Sequence, residues 1–249
     1  MSAAPRRRLG LGFWSFVLLM LSLTGLFAWL GVWQVQRLAE KEALVATVER
    51  QLNAEPYDLP PADAWPALDL AAYAYHPLRL SGVYDPAGTV LVFTNLADAQ
   101  GRYAGPGYWA MTPLAVEGGT VFVNRGFVPQ GQAAAFRETT PPSGMQTVTG
   151  LALRPDTPGA FTPAPDTANR IEWVRDPARL AAMAGVEGPV FRLVVDAPAG
   201  APGELPQGGE TIVEFPNNHL GYALTWFGFA LITPALLGVW VWRQLRPAG

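Results

Sequence analysis

FWSFVLLMLSLTGLFAWLGVWQV, residues 13–35, holds 23 positions without a charge between the arginines at 6–8 and Arg37. A helix rises about 1.5 Å per residue, so this run reaches about 35 Å, more than the ~30 Å hydrocarbon core of a bilayer. A second run, Tyr222–Trp242, adds 21 uncharged residues ahead of Arg243 and Arg246. Trp14, Trp29 and Trp33 flank the first run and Tyr222, Trp240 and Trp242 the second, positions that suit an interfacial aromatic belt. Core helices of soluble domains are usually shorter, so the chain reads as a two-pass membrane protein. The first run also exceeds the roughly 7–15-residue core of a signal peptide and has no A-x-A site after it, so it is read as an uncleaved anchor.

Three arginines precede the first run and two follow the second. By the positive-inside rule both termini are cytoplasmic and the middle lies across the membrane. The expected organisation is a cytoplasmic tail at 1–12, transmembrane helices at 13–35 and 222–242, an extracytoplasmic β-rich domain at 36–218, and a cytoplasmic tail at 243–249. The middle section carries twelve of the 17 basic residues and all 20 acidic ones, a net charge of about −8, with a single lysine, Lys41. Such a surface has no footprint for nucleic acid. There is no cysteine in the 249 residues, which excludes disulfides, thiol redox centres, a Cys-based copper relay and thioether-attached haem.

Beyond the first span, RLAEKEALVATVERQLN (37–53) continues as a helix with Leu38, Leu44, Val45, Val48 and Leu52 near one face. Pro56, Pro60, Pro61 and Pro66 then end regular structure. Short runs bounded by Gly, Pro, Asp or Asn predict strands at 76–84, 89–94, 108–116, 120–124, 146–153, 171–175, 190–196 and 210–215. DPARLAAMAG (176–185) predicts a helix with Asp176 as N-cap, Pro177 in first place and Gly185 as the stop. Segments 154–168 and 197–209 read as loops. The fold class is membrane α+β: two transmembrane helices flanking a mostly antiparallel domain, barrel- or sandwich-like, with one or two short helices.

Groups capable of chemistry are few. The two histidines, His76 and His219, sit in different settings, and without a third His or a Cys no His₃ or Cys/His zinc site can be built. No G-x-S-x-G, Walker loop or dinucleotide fingerprint occurs. A carboxylate-pair hydrolase anchored in the membrane stays open, although no spacing singles out a pair among the acids. His219 lies in PNNHLGYALTWF just before the second span, while Trp33, Gln34 and Arg37 leave the first span on the same side. Gly25 and Ala28, with Gly221, Thr225 and Gly228, would let the two helices pack closely. Two readings of the cluster stand. It caps and anchors the helix ends, or it forms a haem or quinone head-group site with imidazole as axial ligand and Arg37 facing propionates. His76, before Pro77, reads as a surface or packed residue.

Several stretches carry a resemblance. LGVWQVQRLAEKEAL (30–44), TVFVNRGFVP (120–129) and NNHLGYALTWFGFAL (217–231) resemble, in order, three landmarks of the surfeit locus protein 1 family of cytochrome c oxidase assembly factors. Weaker echoes are HPLRLSGVYD (76–85), GYWAMTPL (107–114) and NRIEWVRDPARLAAMAG (169–185) followed by VFRLVVDA (190–197), and the landmarks span about 80% of the chain. The resemblance implies assembly rather than catalysis: haem a bound at the outer membrane interface and delivered to the main oxidase subunit, with His219 as the iron's axial ligand. Gln34, Arg37, Asn218 and Trp226 are the accompanying binding candidates. The main oxidase subunit is the implied partner, with haem a synthase as a further candidate and the bacterial inner membrane as the location. The short N-terminal tail and Arg-rich, nearly Lys-free composition agree with that location. The alternative is a cofactor-free chaperone that clamps an oxidase subunit. Asn124, Arg125 and Gly126 form a motif without a chemical role, read as a strand end that turns through Gly126 towards Pro129.

Overall fold

The computed structural model describes residues 10–213 and 217–246. The arginines at 6–8 and the end of the strand expected at 210–215 lie outside the described residues. The chain divides into two compact units: the long helices, up to Thr47 and from residue 217, and the segment Val48–Val213.

Both apolar runs form single helices. The first, α1, spans Leu11–Leu52 and carries the run straight into RLAEKEALVATVERQL. At 42 residues it reaches about 63 Å, twice a bilayer core. Of the apolar face expected along 38–52, Val48 is buried whereas Leu44 stays 48% exposed. The C-terminal helix, His219–Leu245, begins three residues before the apolar run. Both helices are long and apolar enough to cross a membrane. Most of their leucines point outward, Leu231 at 74% exposure being an example, although Leu237 is buried, as expected of helices solvated largely by lipid tails rather than by protein.

Residues 48–213 form a closed β structure. Eight strands run β1 (Tyr57–Asp58), β2 (Pro77–Tyr84), β3 (Val90–Leu96), β4 (Gly105–Val116), β5 (Gly119–Pro129), β6 (Met145–Leu153), β7 (Ile171–Glu172) and β8 (Val194–Asp196). Pairing follows the order β1-β2-β6-β8-β5-β4-β3-β7, and β2 also pairs with β4 through Val83↔Ala115 and Tyr84↔Leu114. That extra pairing closes β2-β6-β8-β5-β4 into a five-stranded barrel, so no free edge is left around the ring. Most ladders are antiparallel; β1–β2, β3–β7 and β5–β8 are parallel.

Alternation in the sequence places the core. In PLRLSGVY, Leu78, Leu80 and Tyr84 turn inward, as a period of two requires. They meet Leu114, Val121, Val123, Ala152, Phe191, Leu193 and Val195. Strand β5 is buried on both faces from Val121 to Asn124. Its other face carries Phe122, which packs with Met111, Val194, Leu180 and Ala181. The last two belong to helix Pro177–Ala184, whose apolar side covers the barrel. Two shorter α-helices, Leu70–Tyr73 and Ala133–Arg137, and two 3-10 helices, Ala62–Ala67 and Gln130–Gln132, lie in the same unit; in chain order the five α-helices of the described residues are α1 to α5.

Local signals account for α4. The Asp176 carboxylate accepts the Arg179 amide at 3.0 Å, Pro177 opens the helix, and Gly185 ends it at φ +70°. Replacing the cap, Asp176→Ala, is expected to cost about 1 kcal/mol, read as a few degrees' fall in the melting temperature of the detergent-solubilised chain.

Three expected strands come out differently. The strand read at 171–175 is paired only at Ile171–Glu172. The one read at 190–196 touches β5 at Thr120↔Val190 and again at Val123↔Val195. Over that interval β5 advances three residues while the partner advances five, so the surplus bends out and only Val194–Asp196 is regular. Residues 210–213 form no strand; Glu210 is instead drawn into side-chain bonding, its carboxylate accepting the amides of Gln100 and Gly101 at 2.7 Å each.

Candidate functional site

The two long helices are antiparallel neighbours. Phe13 stacks on Trp240 at 5.1 Å between ring centroids, Phe27 stacks on Trp226 at 5.8 Å, and Gln34 meets His219. Ascending positions on α1 thus meet descending positions on α5. The close approach falls at Gly31, where an added Cβ would lie 2.6 Å from the Phe227 ring. Gly25, Gly221 and Gly228, expected to permit the packing, have nothing within 4 Å of such a Cβ. One phenylalanine filling the space above a single glycine sets the spacing in their place.

At this junction the His219 imidazole Nδ1 lies 2.8 Å from the Gln34 side-chain oxygen. In the neutral ring, with that oxygen accepting, Nδ1–H is the donor and Nε2 keeps a free lone pair. A second-sphere carbonyl that fixes the tautomer in this way is the usual partner of a metal-binding imidazole. Gln34 is only 8% exposed, so its amide is committed within the helix pair rather than solvated.

The other candidates are placed around this pair rather than in contact with it. Arg37 is one turn from Gln34; it is exposed, bonded to Glu40 at 2.8 Å, and its guanidinium carbon lies 5.7 Å from the Trp33 ring centre. Asn218 is exposed and makes no side-chain cap to α5. Trp226 follows His219 by two turns on the same face of the helix and packs against Phe27 and Phe229. His76 is buried, with its ring stacked on Tyr57 at 4.6 Å, the packed setting expected for it.

The Asn124-Arg125-Gly126 motif does not end a strand. Strand β5 runs on to Pro129, and the motif is a β-bulge: Met111 pairs with Asn124 and Trp109 with Phe127, so Arg125 and Gly126 together face Ala110. The Asn124 side-chain oxygen accepts the Gly126 amide at 3.0 Å. Gly126 takes φ +134°, and Phe127 exchanges two backbone hydrogen bonds of 2.8 Å with Gln207. Burial holds the Arg125 guanidinium below its ordinary pKa, with the neighbouring Tyr84 hydroxyl acting in the opposite sense.

A buried charge cluster escaped sequence reasoning. Arg175 lies 3.1 Å from Asp156 and 3.7 Å from the almost fully buried Asp196, while Arg179 bonds the buried Glu172 at 2.7 Å. Burial raises the Asp196 pKa; the Arg175 charge and hydrogen bonds from Thr211 and Asn124 oppose it without cancelling it. Burial pulls Arg175 down, but the charge of Asp196 and the hydrogen bond and charge of Asp156 outweigh it and leave the guanidinium above its ordinary value. The ion pairs join residues 7 to 21 positions apart; the stretches 169–185 and 190–197, which hold most of them, were legible as a family echo but not as charge pairs.

Two long apolar helices, one before and one after a closed β domain in the sequence, define the class to which the chain conforms. The model of the SURF1 family matches residues 21–231. Among similar proteins are a SURF1-like protein of Monosiga brevicollis, 30% identical over 98% of this chain and 92% of its own length, and Surfeit locus protein 1 of Homo sapiens, 32% identical over 94% and 78%. A SURF1-like protein of Drosophila melanogaster is 33% identical over 83% and 71%. The chain belongs to the SURF1 family.

Proposed function

We propose that this protein is an assembly factor for cytochrome c oxidase that holds haem a at the outer membrane interface and passes it to the main oxidase subunit. The observation that carries the reading is the 2.8 Å pairing of His219 Nδ1 with Gln34 between two apolar helices. It leaves Nε2 as a neutral, directed donor suited to haem iron. The donor set fits the cargo. His219 would supply the axial ligand, the aromatic surface of Trp226, Phe27 and Phe229 an apolar wall, and Arg37 a cation for propionates at the exposed end. What the bound haem contributes is an iron that takes axial ligands. This chain's residues orient the imidazole through Gln34, exclude water through the helix aromatics, and keep the cation near the aqueous edge.

Delivery requires that the ligand let go. A single-histidine site with an exposed arginine supports transfer better than a fully enclosed one would. Family membership supports the assembly role; the acidic outer domain and the basic residues at the chain ends support an inner-membrane location with the domain outside the cytoplasm. The relatives named above are eukaryotic, so a bacterial plasma membrane rests on this chain's own composition.

The test is the reduced absorption spectrum of protein purified in detergent from cells that make haem a. A haem a band that His219→Ala abolishes, with circular dichroism unchanged, is the expected result. Gln34→Leu, which keeps the imidazole but removes its acceptor, is expected to weaken retention about 10- to 100-fold. Wild-type protein without haem from haem a-replete cells would overturn the carrier reading in favour of a cofactor-free chaperone that clamps an oxidase subunit.

A further inference from the structure

Arg125 is half-buried, yet among the described residues no carboxylate or hydrogen-bonding acceptor meets its guanidinium; its neighbour is the Tyr84 ring, 5.7 Å from the guanidinium carbon to the centroid. A guanidinium carries five N–H donors and no acceptor. Leaving such a group short of partners in a partly desolvated place is costly. The side chain lines a cavity of about 320 Å³ shared with Arg137, Arg170, Leu91, Phe136 and Thr139, and no acidic residue is in the lining. Three arginines therefore converge on one cavity inside the β-rich unit.

The other two arginines are anchored at its rim. Arg137 donates to the Asn169 carbonyl and Arg170 to the Ala87 carbonyl. Each keeps further N–H groups for another partner. Arg170 is also held at φ +48°, a region that side chains other than glycine seldom adopt, and its carbonyl accepts the Leu91 amide at 3.0 Å. Of the acids near the rim, Asp85 accepts the Ala87 amide, and Asp166 accepts both the amide and the side chain of Asn169 while also feeling the charge of Arg137.

We propose that this cavity is a binding site for a small oxyanion, a phosphate or a dicarboxylate, with Arg125 as its central donor. Guanidinium forks match the spacing of carboxylate and phosphate oxygens, so three arginines in a lining that contains no acid select that chemistry. Leu91 and Phe136 give the cavity an apolar wall, which accommodates a short carbon body beside the charge. Its volume falls at the lower end of small-ligand sites, roughly 300–1,000 Å³. The Asn-Arg-Gly bulge then has a place in the site: the extra residue is inserted in β5 at the point where Arg125 lines the cavity.

Isothermal titration of the full chain in neutral detergent tests this, with inorganic phosphate and succinate as probes and chloride at equal ionic strength as the control. Saturable binding of at least one probe is expected, weakened about tenfold or more by Arg125→Gln. Arg137→Gln, at an exposed side chain whose loss leaves the core intact, should weaken it as well and keeps the test decisive if Arg125→Gln fails to fold. Arg192→Gln, outside the cavity, should change nothing. The proposal fails if neither probe binds saturably, if chloride gives the same heat, or if Arg137→Gln and Arg125→Gln both bind as wild type does.

Discussion

Gly126→Ala should destabilise the β domain by about 2–6 kcal/mol, a large part of the ~5–15 kcal/mol that typically holds a domain folded. Two independent costs combine. At φ +134° a Cβ meets its own backbone, at about 1–3 kcal/mol. That Cβ would also lie 2.3 Å from the Gln207 carbonyl carbon and 2.5 Å from the Gly208 amide nitrogen. These are backbone atoms and cannot rotate aside, and overpacking of this kind costs a further ~1–3 kcal/mol. Relief requires the 207–208 segment to withdraw, which breaks the paired 2.8 Å bonds between Phe127 and Gln207. It also disturbs the Gln207 side chain, which bridges Tyr103 and Glu210. Thermal melts of the purified chain followed by near-ultraviolet circular dichroism would measure the loss. A fall of less than about 1 kcal/mol would show that this segment is not held against the bulge as tightly as its bonds imply.

Arg175→Met should cost about 3–5 kcal/mol near neutral pH, because it strands the Asp196 carboxylate in the interior without its countercharge. The side chain of Asp196 is 4% exposed and that of Arg175 22%, so solvent screens the pair little. The pH dependence follows from the direction of the shift. Burial raises the Asp196 pKa in the folded state, so the folded chain binds this proton more tightly than the unfolded chain does. Stability therefore falls as pH rises from the ordinary carboxylate value through the folded one. Without Arg175 the folded value rises further. The deficit of Arg175→Met relative to wild type should be largest at neutral pH and shrink on acidification through that raised value. Paired melts at a series of pH values would show the convergence; a deficit independent of pH would mean that the arginine acts through packing alone.

Local patterns were enough for the two long helices, for α4 and for strands β2 to β6. Uncharged runs at 13–35 and 222–242 predict the helices α1 and α5, because a helix that crosses lipid must be apolar all round and long, and both properties are written in consecutive residues. Alternation in PLRLSGVY and the Asp-Pro…Gly frame of α4 have the same character, since pleat and cap geometry depend on neighbours within four positions. The motifs around Gln34, Arg125 and His219 were likewise visible as residue types at the ends or interiors of elements.

Legible in the residues alone, then, were the long helices, α4 and the main strands in their order, together with the family to which the chain belongs. Only the tertiary structure decided which of them touch. Closure of the barrel rests on Val83 and Tyr84 reaching Ala115 and Leu114, and the bulge at Arg125 is defined by its register against Ala110 of another strand. His219 meets Gln34 across 185 positions because Gly31 admits Phe227 and sets the helix spacing. The Arg175–Asp196 pair and the three-arginine cavity are likewise assembled from separate loops and strands. Hydropathy and capping act over one or two turns of chain, whereas register, ring closure and charge pairing depend on packing summed over the whole unit, and no short stretch encodes that sum.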